Sequence, residues 1–278
     1  MSHQRQHNHI DLAHNDPVAP FMKHSVRIGS ISGIDILVHY TFPAICVLLT
    51  ILAVPAGAFI VLLTAILFGP VLFVTILLHE LGHCWAAIRT GSTVHSILFW
   101  PLGGLAFIGH SNTPKDDLKV SAAGPATHIP QTLLWGALLI GFYQTSFDAA
   151  FLKALCFGAI QINVSLFLFN LFIPAYPLDG GRILVNLLLM KECTVETTAK
   201  ACIGVSSFMA LLLLACGGYM MFAAKNGINL ILVAFWILYQ AHQLYTHVKS
   251  NTIHVHPLFN FPQDTSNQQL NTLRTSSI

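Results

Sequence analysis

The sequence predicts an all-α polytopic membrane protein with about six transmembrane helices and a short membrane-associated β-hairpin. Of its 278 residues, 54% are hydrophobic and only 9% are charged, and its mean hydropathy is +0.67. An ordinary soluble domain has roughly 25% charged residues. Several apolar runs are also long enough to cross about 30 Å of hydrocarbon as helices. Composition and run length therefore point to the same class of protein.

Six apolar runs are candidates for the membrane spans, and together they define one membrane domain at residues 34–249. We expect the spans at residues 36–54, 57–89, 121–143, 149–190, 201–222 and 227–248. The fourth is expected to break near residues 172–180, where prolines and glycines interrupt an apolar run. In the second, Gly69 and Pro70 predict a kink or a start point.

Polar segments flank this domain. Residues 1–33 are rich in irregularly spaced histidines and predict a disordered tail, with a metal-loading tail as the alternative. Residues 250–278 are rich in Ser, Thr, Asn and Gln and also predict disorder. Because the first apolar run begins only near Ile34, we expect no cleaved secretory signal.

Charge and cysteine usage argue against a nucleic-acid-binding protein and against a disulfide-stabilised one. The net charge is only +2, and no basic cluster with interleaved aromatics is present, so we expect no nucleic-acid partner. The six cysteines are scattered, mostly within apolar runs, and form no Cys-x-x-Cys pair. We interpret them as small buried hydrophobes rather than as a disulfide framework.

The most informative stretch is His79-Glu80-Leu81-Gly82-His83. On a helix, histidines four residues apart project from one face, so both imidazoles can reach one metal ion. A neighbouring carboxylate, Glu80, can then take the proton of a metal-bound water during attack on a carbonyl. The alternative is a helix whose two histidines bond to neighbouring groups. With 15 His and three Glu in the chain, a chance match is roughly a 1 in 100 event.

The motif also lies inside an apolar run. It precedes Arg89 by about ten residues, which is roughly 15 Å of helix. Two imidazoles and a carboxylate at that depth cost several kcal/mol unless a cation compensates them. We therefore predict an intramembrane metal site.

Asp179 is the candidate third ligand. It follows two prolines in the broken fourth span, and Asp179 and Glu80 are the buried-looking carboxylates of the apolar spans. A hydrolytic zinc site usually has three protein ligands. The alternative is that Asp179 caps the N-terminus of the helix that follows.

Two other stretches have open alternatives. Residues 92–110 contain two short β-branched and aromatic runs around Pro101-Leu102-Gly103-Gly104, which predicts a hairpin. We expect such a hairpin to pack in a protein cavity or to take up another strand. The alternative is a loop at the membrane interface that merely connects two helices. His128, inside the third span, is either a ligand or proton relay, or is bonded to a neighbouring helix.

Lys and Arg counting predicts the orientation. Across the six expected spans, one face of the membrane carries most of these residues, whereas the other carries only Lys153 and Lys225. Both termini are therefore predicted to be cytoplasmic. We expect the bacterial inner membrane as the location.

The motifs resemble those of the site-2 protease family of intramembrane zinc metalloproteases. The resemblance rests on residues 79–83 and on the run Pro-Ala-Tyr-Pro-Leu-Asp-Gly-Gly-Arg at 174–182. Pro-Leu-Gly-Gly at 101–104 and Ala-Gly-Pro at 123–125 are similar to the family's intervening segments. The resemblance therefore covers roughly residues 34–190.

The resemblance implies that one zinc ion per chain is bound by His79, His83 and Asp179 and that Glu80 activates water. It also implies that the substrate is a transmembrane helix of a membrane-anchored protein. In the family an Asn three residues before the first proline helps to hold the substrate or the oxyanion, whereas Asn170 stands four before Pro174. The resemblance extends this role to Asn170 if a local bulge in the chain turns its side chain in the direction that the family pattern requires.

The sequence shows no inserted PDZ-like segment and no C-terminal regulatory domain, so we expect the membrane core or a regulatory membrane partner to select the substrate. Two other functions use the same features: a membrane metal transporter or sensor, and a non-catalytic scaffold that binds membrane helices. Glu80 argues against the transporter, because ion passage needs no base beside the metal.

Overall fold

The computed structural model of the chain describes residues 24–145, 149–224 and 227–261. Most of the two predicted disordered tails, residues 1–23 and 262–278, lies outside these residues. The chain divides into two compact units. The described part of the first comprises residues 24–86, 94–109, 122–145 and 149–173, and that of the second comprises the remainder.

The described residues form strands and helices in a mostly helical fold. The strands are β1 Ser25–Ile31, β2 Ile34–His39, β3 Val94–Trp100 and β4 Gly103–Ile108. The helices are α1 Thr41–Leu52, α2 Ala58–Ile66, α3 Leu72–Arg89, α4 Pro114–Ala126, α5 His128–Tyr143, α6 Ala150–Phe172, α7 Asp179–Met190, α8 Val195–Ala224 and α9 Ile228–Lys249.

Four helices of the described chain are long and apolar enough to cross a membrane: the continuous run from α2 to α3, and α6, α8 and α9. The expected count of about six spans is not confirmed. The run from α2 to α3 passes through a π-helical turn at Leu67–Val71 that contains Pro70. An irregularity at this proline is therefore confirmed, whereas a helix start there is wrong, because the 32-residue run continues through it.

The expected first span, residues 36–54, is wrong at its start. Residues Ile34–His39 form β2, and α1 has only 12 residues. A turn at Ser32-Gly33, with φ of 53° and 82°, joins β1 to β2. Two positive φ values are typical of the tight hairpin turn whose twist matches the strands. Hydropathy alone cannot separate a buried strand from the end of a helix.

The expected third span, residues 121–143, is interrupted. Helix α4 ends at Ala126, and α5 begins at His128 and has 16 residues. Pro130 explains the break, because proline has no N–H to donate and its ring collides with the carbonyl four residues earlier, at Ala126.

The first unit contains a four-stranded sheet in the order β1-β2-β3-β4. The predicted hairpin is confirmed as β3 and β4, joined at Pro101-Leu102, but it is part of this larger sheet. Strand β2 pairs with β3 in parallel. One core cluster joins sheet and helices, and its members are Ile34, Ile36, Phe42, Ile76, Leu81, Cys84, Ile97 and Phe99. The sheet thereby packs against α3, the helix of the metal-site motif.

The second unit has its own core. Residues 250–261, which the sequence assigns to the disordered tail, pack against α7, α8 and α9 instead. Ile253, Leu258 and Phe259 are at most 6% exposed and belong to one cluster with Val185 and Leu244. The first residues of a tail that is polar as a whole are thus held by three apolar side chains.

A buried ion pair ties the start of α4 to α7 within the second unit. Asp117 accepts hydrogen bonds from Ser111 (3.0 Å), Arg182 (2.5 Å) and Asn186 (2.7 Å). Burial raises the pKa of the Asp117 carboxyl, but the charge of Arg182 and these hydrogen bonds outweigh burial and hold the pKa below its ordinary value of 3.8. The carboxylate is therefore ionised in the folded protein at neutral pH.

We expect Asp117→Asn to lower the free energy of unfolding by about 3 kcal/mol, because it leaves Arg182 without the counterion with which it forms its ion pair. Thermal unfolding in detergent measures the loss. The matched control is Asp116→Asn, since Asp116 pairs with the exposed Lys119 and such pairs contribute about 0–1 kcal/mol.

Asp117→Asn also tests the lowered pKa of the Asp117 carboxyl. A lowered folded-state pKa means that the contribution of Asp117 is present above pH 3.8 and is lost as the pH falls through the folded value. Wild type should therefore lose more stability than Asp117→Asn on acidification through this range. Equal losses would contradict the assignment.

Candidate active site

Helix α3 carries the three residues of the predicted metal-site motif. His79, Glu80 and His83 are 7%, 7% and 5% exposed. The Nε2 atoms of His79 and His83 lie 3.1 Å apart. The prediction that the two imidazoles share one helix face is therefore confirmed, and their ring nitrogens converge on one point.

Glycines let other segments of the first unit approach this part of α3 closely. A methyl group at Gly82 would lie 2.6 Å from Thr127 Cγ2 and 2.7 Å from the Ala123 carbonyl oxygen. A methyl group at Gly124 would overlap the ring of His83. The small residues at 123–125 thus permit a close approach to α3, and the segment they belong to touches a candidate ligand, His83.

The β-hairpin contacts Glu80 through the backbone of β4. A Cβ atom at Gly104 would lie 2.6 Å from Glu80 Cγ, 2.7 Å from Glu80 Oε1 and 2.7 Å from Ile76 Cγ2. A side chain at position 104 would therefore displace the Glu80 carboxylate from this position. The strand therefore runs directly beside the candidate general base.

His128 is bonded to neighbouring helices, as one of the two sequence alternatives proposed. Its Nε2 lies 3.1 Å from His79 Nδ1, and its Nδ1 lies 3.0 Å from Asn163 Oδ1 on α6. Sequence reasoning missed Asn163. The available signal was an amide side chain in the middle of an apolar helix, which is rare unless it is bonded.

Asp179 begins α7 in the second unit and is 8% exposed. The predicted break of the fourth span is confirmed, because α6 ends at Phe172 and α7 starts only at Asp179. The residue at the N-cap is Leu178, so the alternative role of Asp179 as helix cap is wrong. A methyl group at Gly181 would overlap the backbone of Ala175 and Tyr176, so this glycine lets α7 begin directly against the preceding turn.

Asn170 lies in the last turn of α6 and is half-buried. Ile173, after the helix, has extended backbone with φ −88° and ψ 104°. The role of Asn170 in binding the substrate or the oxyanion stays a prediction.

The arrangement of His79, His83 and Glu80 in the first unit could bind a metal ion and transfer a proton beside it. Two neutral imidazoles with converging nitrogens are a typical partial ligand set for a divalent transition-metal ion. A buried carboxylate next to one of them is placed to accept a proton from a group at that ion.

Comparison with known proteins assigns the family. The sequence profile of peptidase family M50 matches residues 67–155. A zinc metalloprotease of Methanocaldococcus jannaschii is 32% identical over 236 residues, which is 84% of this chain and 64% of that protein. The solved structure of the site-2 protease from the same organism superposes with a TM-score of 0.56 at 31% identity, covering 79% of this chain and 94% of that one.

The chain belongs to the site-2 protease family. A second relative, Rip3 of Mycobacterium tuberculosis, is 28% identical over 231 residues, which is 79% of this chain and 58% of Rip3. The chain thus spans less than two thirds of the length of these two relatives. Family membership and the four apolar helices make it an integral membrane protein.

We expect Gly124→Ala to lower the stability of this site-2 protease by about 1–3 kcal/mol, because the added methyl group displaces the ring of His83. Thermal unfolding of the metal-free protein in detergent measures it. A methyl group at Gly136 on α5 meets nothing within 4 Å. Gly136→Ala should therefore be neutral or stabilising by about 0.5–1 kcal/mol, and an equal effect of both changes would refute the close contact.

Proposed function

We propose that the protein is an intramembrane zinc metalloprotease that hydrolyses a peptide bond in a transmembrane helix of a membrane-anchored substrate. One observation carries this proposal: two converging imidazoles and a buried carboxylate, His79, His83 and Glu80, lie on a 32-residue apolar helix. The names of the relatives and the family support the same chemistry.

Zinc fits the residues present. For two nitrogen ligands at 2.0–2.1 Å from a tetrahedral zinc ion, the nitrogens are about 3.3 Å apart. The Nε2 atoms of His79 and His83 lie 3.1 Å apart. We propose Asp179 as the third ligand, because it is a buried carboxylate in the family's second motif and completes the two-histidine, one-carboxylate set of hydrolytic zinc sites.

Glu80 is the proposed general base. The bound zinc ion would polarise the scissile carbonyl and acidify a water molecule. A carboxylate oxygen of Glu80 accepts the proton of the attacking water and later passes it to the leaving amine. Contact with the β4 backbone at Gly104 restricts where the Glu80 carboxylate can point. We also propose that Asn170 helps to hold the substrate.

The outer edge of β4 is the proposed substrate-binding element. A helical substrate hides its carbonyl groups in its own hydrogen bonds, so it must unwind before attack. In the described part of the chain no strand pairs with the outer edge of β4, which is the end of the sheet order. An unwound segment that pairs there regains backbone hydrogen bonds by strand addition. It also passes beside Glu80, because β4 touches that residue.

The proposed setting follows from the charge distribution. Both termini are proposed to be cytoplasmic, in the inner membrane of a bacterium, with the site nearer the cytoplasmic side. The proposed partners are the lipid bilayer, the transmembrane substrate and a regulatory membrane protein.

Glu80→Gln should reduce cleavage by roughly 10²–10⁴-fold, because glutamine cannot accept the proton. Zinc content should stay at one ion per chain, since Glu80 is not a proposed ligand. The measurements are metal analysis of the purified protein and cleavage of a set of epitope-tagged single-span membrane proteins co-expressed with it. His79→Ala is the comparison, and it should lose both zinc and cleavage.

Other outcomes support the competing functions. Full activity of Glu80→Gln in zinc transport across vesicles would favour a metal transporter. Absence of cleavage by wild type, with the tagged proteins still bound, would favour a non-catalytic scaffold.

Proline in β4 tests the docking proposal. Leu105→Pro and Ala106→Pro each remove one backbone N–H, and N–H groups alternate between the two edges of a strand. One of these two N–H groups points to the outer edge of β4, where the substrate is proposed to pair. The variant that lacks this N–H should cleave the substrate at least about tenfold more slowly and should keep its zinc. Ile28→Pro, at the irregularity of β1, is the control and should cleave normally. Normal cleavage by both β4 variants would refute strand addition.

A further inference from the structure

We propose that His128 and Asn163 are positioning residues that fix the tautomer of His79, so that the lone pair of His79 Nε2 faces the metal ion. The inference rests on the proposed zinc site. It goes beyond that site because neither residue is a proposed ligand or base, and they belong to helices other than α3.

Three hydrogen bonds connect these residues in one line. His79 Nδ1 lies 3.1 Å from His128 Nε2, and His128 Nδ1 lies 3.0 Å from Asn163 Oδ1. Asn163 Nδ2 in turn donates to the carbonyl oxygen of Ala159, at 3.0 Å. His128 is 1% exposed and Asn163 is not exposed at all. Bulk water therefore cannot replace any of the three bonds.

For a neutral His128, these three hydrogen bonds fix the positions of the protons, starting from Asn163. The Ala159 carbonyl can only accept, so the Asn163 amide turns its NH₂ group to Ala159 and its oxygen to His128. That oxygen can only accept, so His128 Nδ1 carries a proton. A neutral imidazole has one N–H, and hence His128 Nε2 accepts a hydrogen bond from His79 Nδ1–H.

The result at His79 is a proton on Nδ1 and an unprotonated Nε2. This is the atom that faces His83, so the lone pair points at the proposed ion. The opposite tautomer of His79 would place a proton on Nε2 and block the ligand position. With His128 neutral, it would also require the Asn163 side-chain oxygen to face the Ala159 carbonyl oxygen, which leaves that buried Asn163 oxygen without a donor.

This line of hydrogen bonds has a function in metal binding. Hydrogen bonds to the second nitrogen of a ligand histidine fix its ring and raise its basicity, and their loss typically weakens metal affinity by 10–100-fold. We therefore expect Asn163→Leu, which keeps the size of the side chain but removes the acceptor, to weaken zinc binding by about that factor.

The experiment separates this role from simple packing. Zinc affinity is measured by competition with a chelator, on the full-length chain in detergent at pH 8, beside thermal unfolding of the metal-free protein. Asn163→Asp keeps an oxygen acceptor for His128 and should bind zinc at least as tightly as wild type. Because Asp buries a charge, it should also unfold at a lower temperature than Asn163→Leu. A packing role alone predicts that affinity follows stability, so that Asp would bind zinc most weakly.

Gln131→Leu is the matched control. Gln131 is buried on the helix of His128 and donates to the Thr127 carbonyl, outside the line. It should leave zinc affinity unchanged. If Asn163→Leu does not fold, His128→Gln and His128→Leu repeat the comparison, because the Gln carbonyl can accept from His79 Nδ1 and Leu cannot.

Failure of this inference and failure of the proposed function give different results. Wild-type affinity in Asn163→Leu, together with loss of zinc in His79→Ala, overturns the positioning role and leaves the zinc site intact. Equal zinc binding by wild type and His79→Ala overturns the zinc site itself, and with it this inference.

Discussion

Burial of polar groups inside an apolar helix is the constraint on which the rest of the first unit depends. Helix α3 ends a 32-residue apolar run, and it carries His79, Glu80 and His83 as buried side chains. Each of these groups loses its hydration there, which costs several kcal/mol unless partners replace the water. The proposed zinc ion is one partner. The hydrogen bonds from His79 through His128 to Asn163 supply another, so the His79 ring is bonded at the nitrogen that does not face His83.

Close backbone approach is the second requirement, and glycine meets it at three contacts around α3. Gly82 and Gly124 bring the segment at residues 123–127 against the helix, and Gly104 brings β4 against Glu80. In a membrane, apolar side chains gain little by leaving lipid, so helices are held by tight packing and by polar contacts. The close packing that stabilises the unit therefore also places α4 against His83 and β4 against Glu80, the proposed base.

The second unit follows the same rule of pairing buried charge. Helix α7 begins at the buried Asp179 and, one turn later, Arg182 forms an ion pair with Asp117. Asn186 adds a hydrogen bond to the same carboxylate. Breaking such a network leaves an uncompensated buried charge, so the loss of one partner is costly. Gly181 then allows the preceding turn to lie against the helix that carries the proposed third ligand.

The sequence by itself determined the membrane class, the position of the metal-site motif, the break before Asp179 and the hairpin at residues 94–108, because each depends on composition or spacing within a short stretch. Tertiary structure decided the rest. Residues 34–39 became a strand because they pair with β3, some 60 residues later in the chain. Asn163 joined the site because it meets a histidine 35 residues away, and residues 253–259 packed because α7, α8 and α9 offer them an apolar surface. Contacts between distant residues carry no local pattern, so only the folded chain could reveal them.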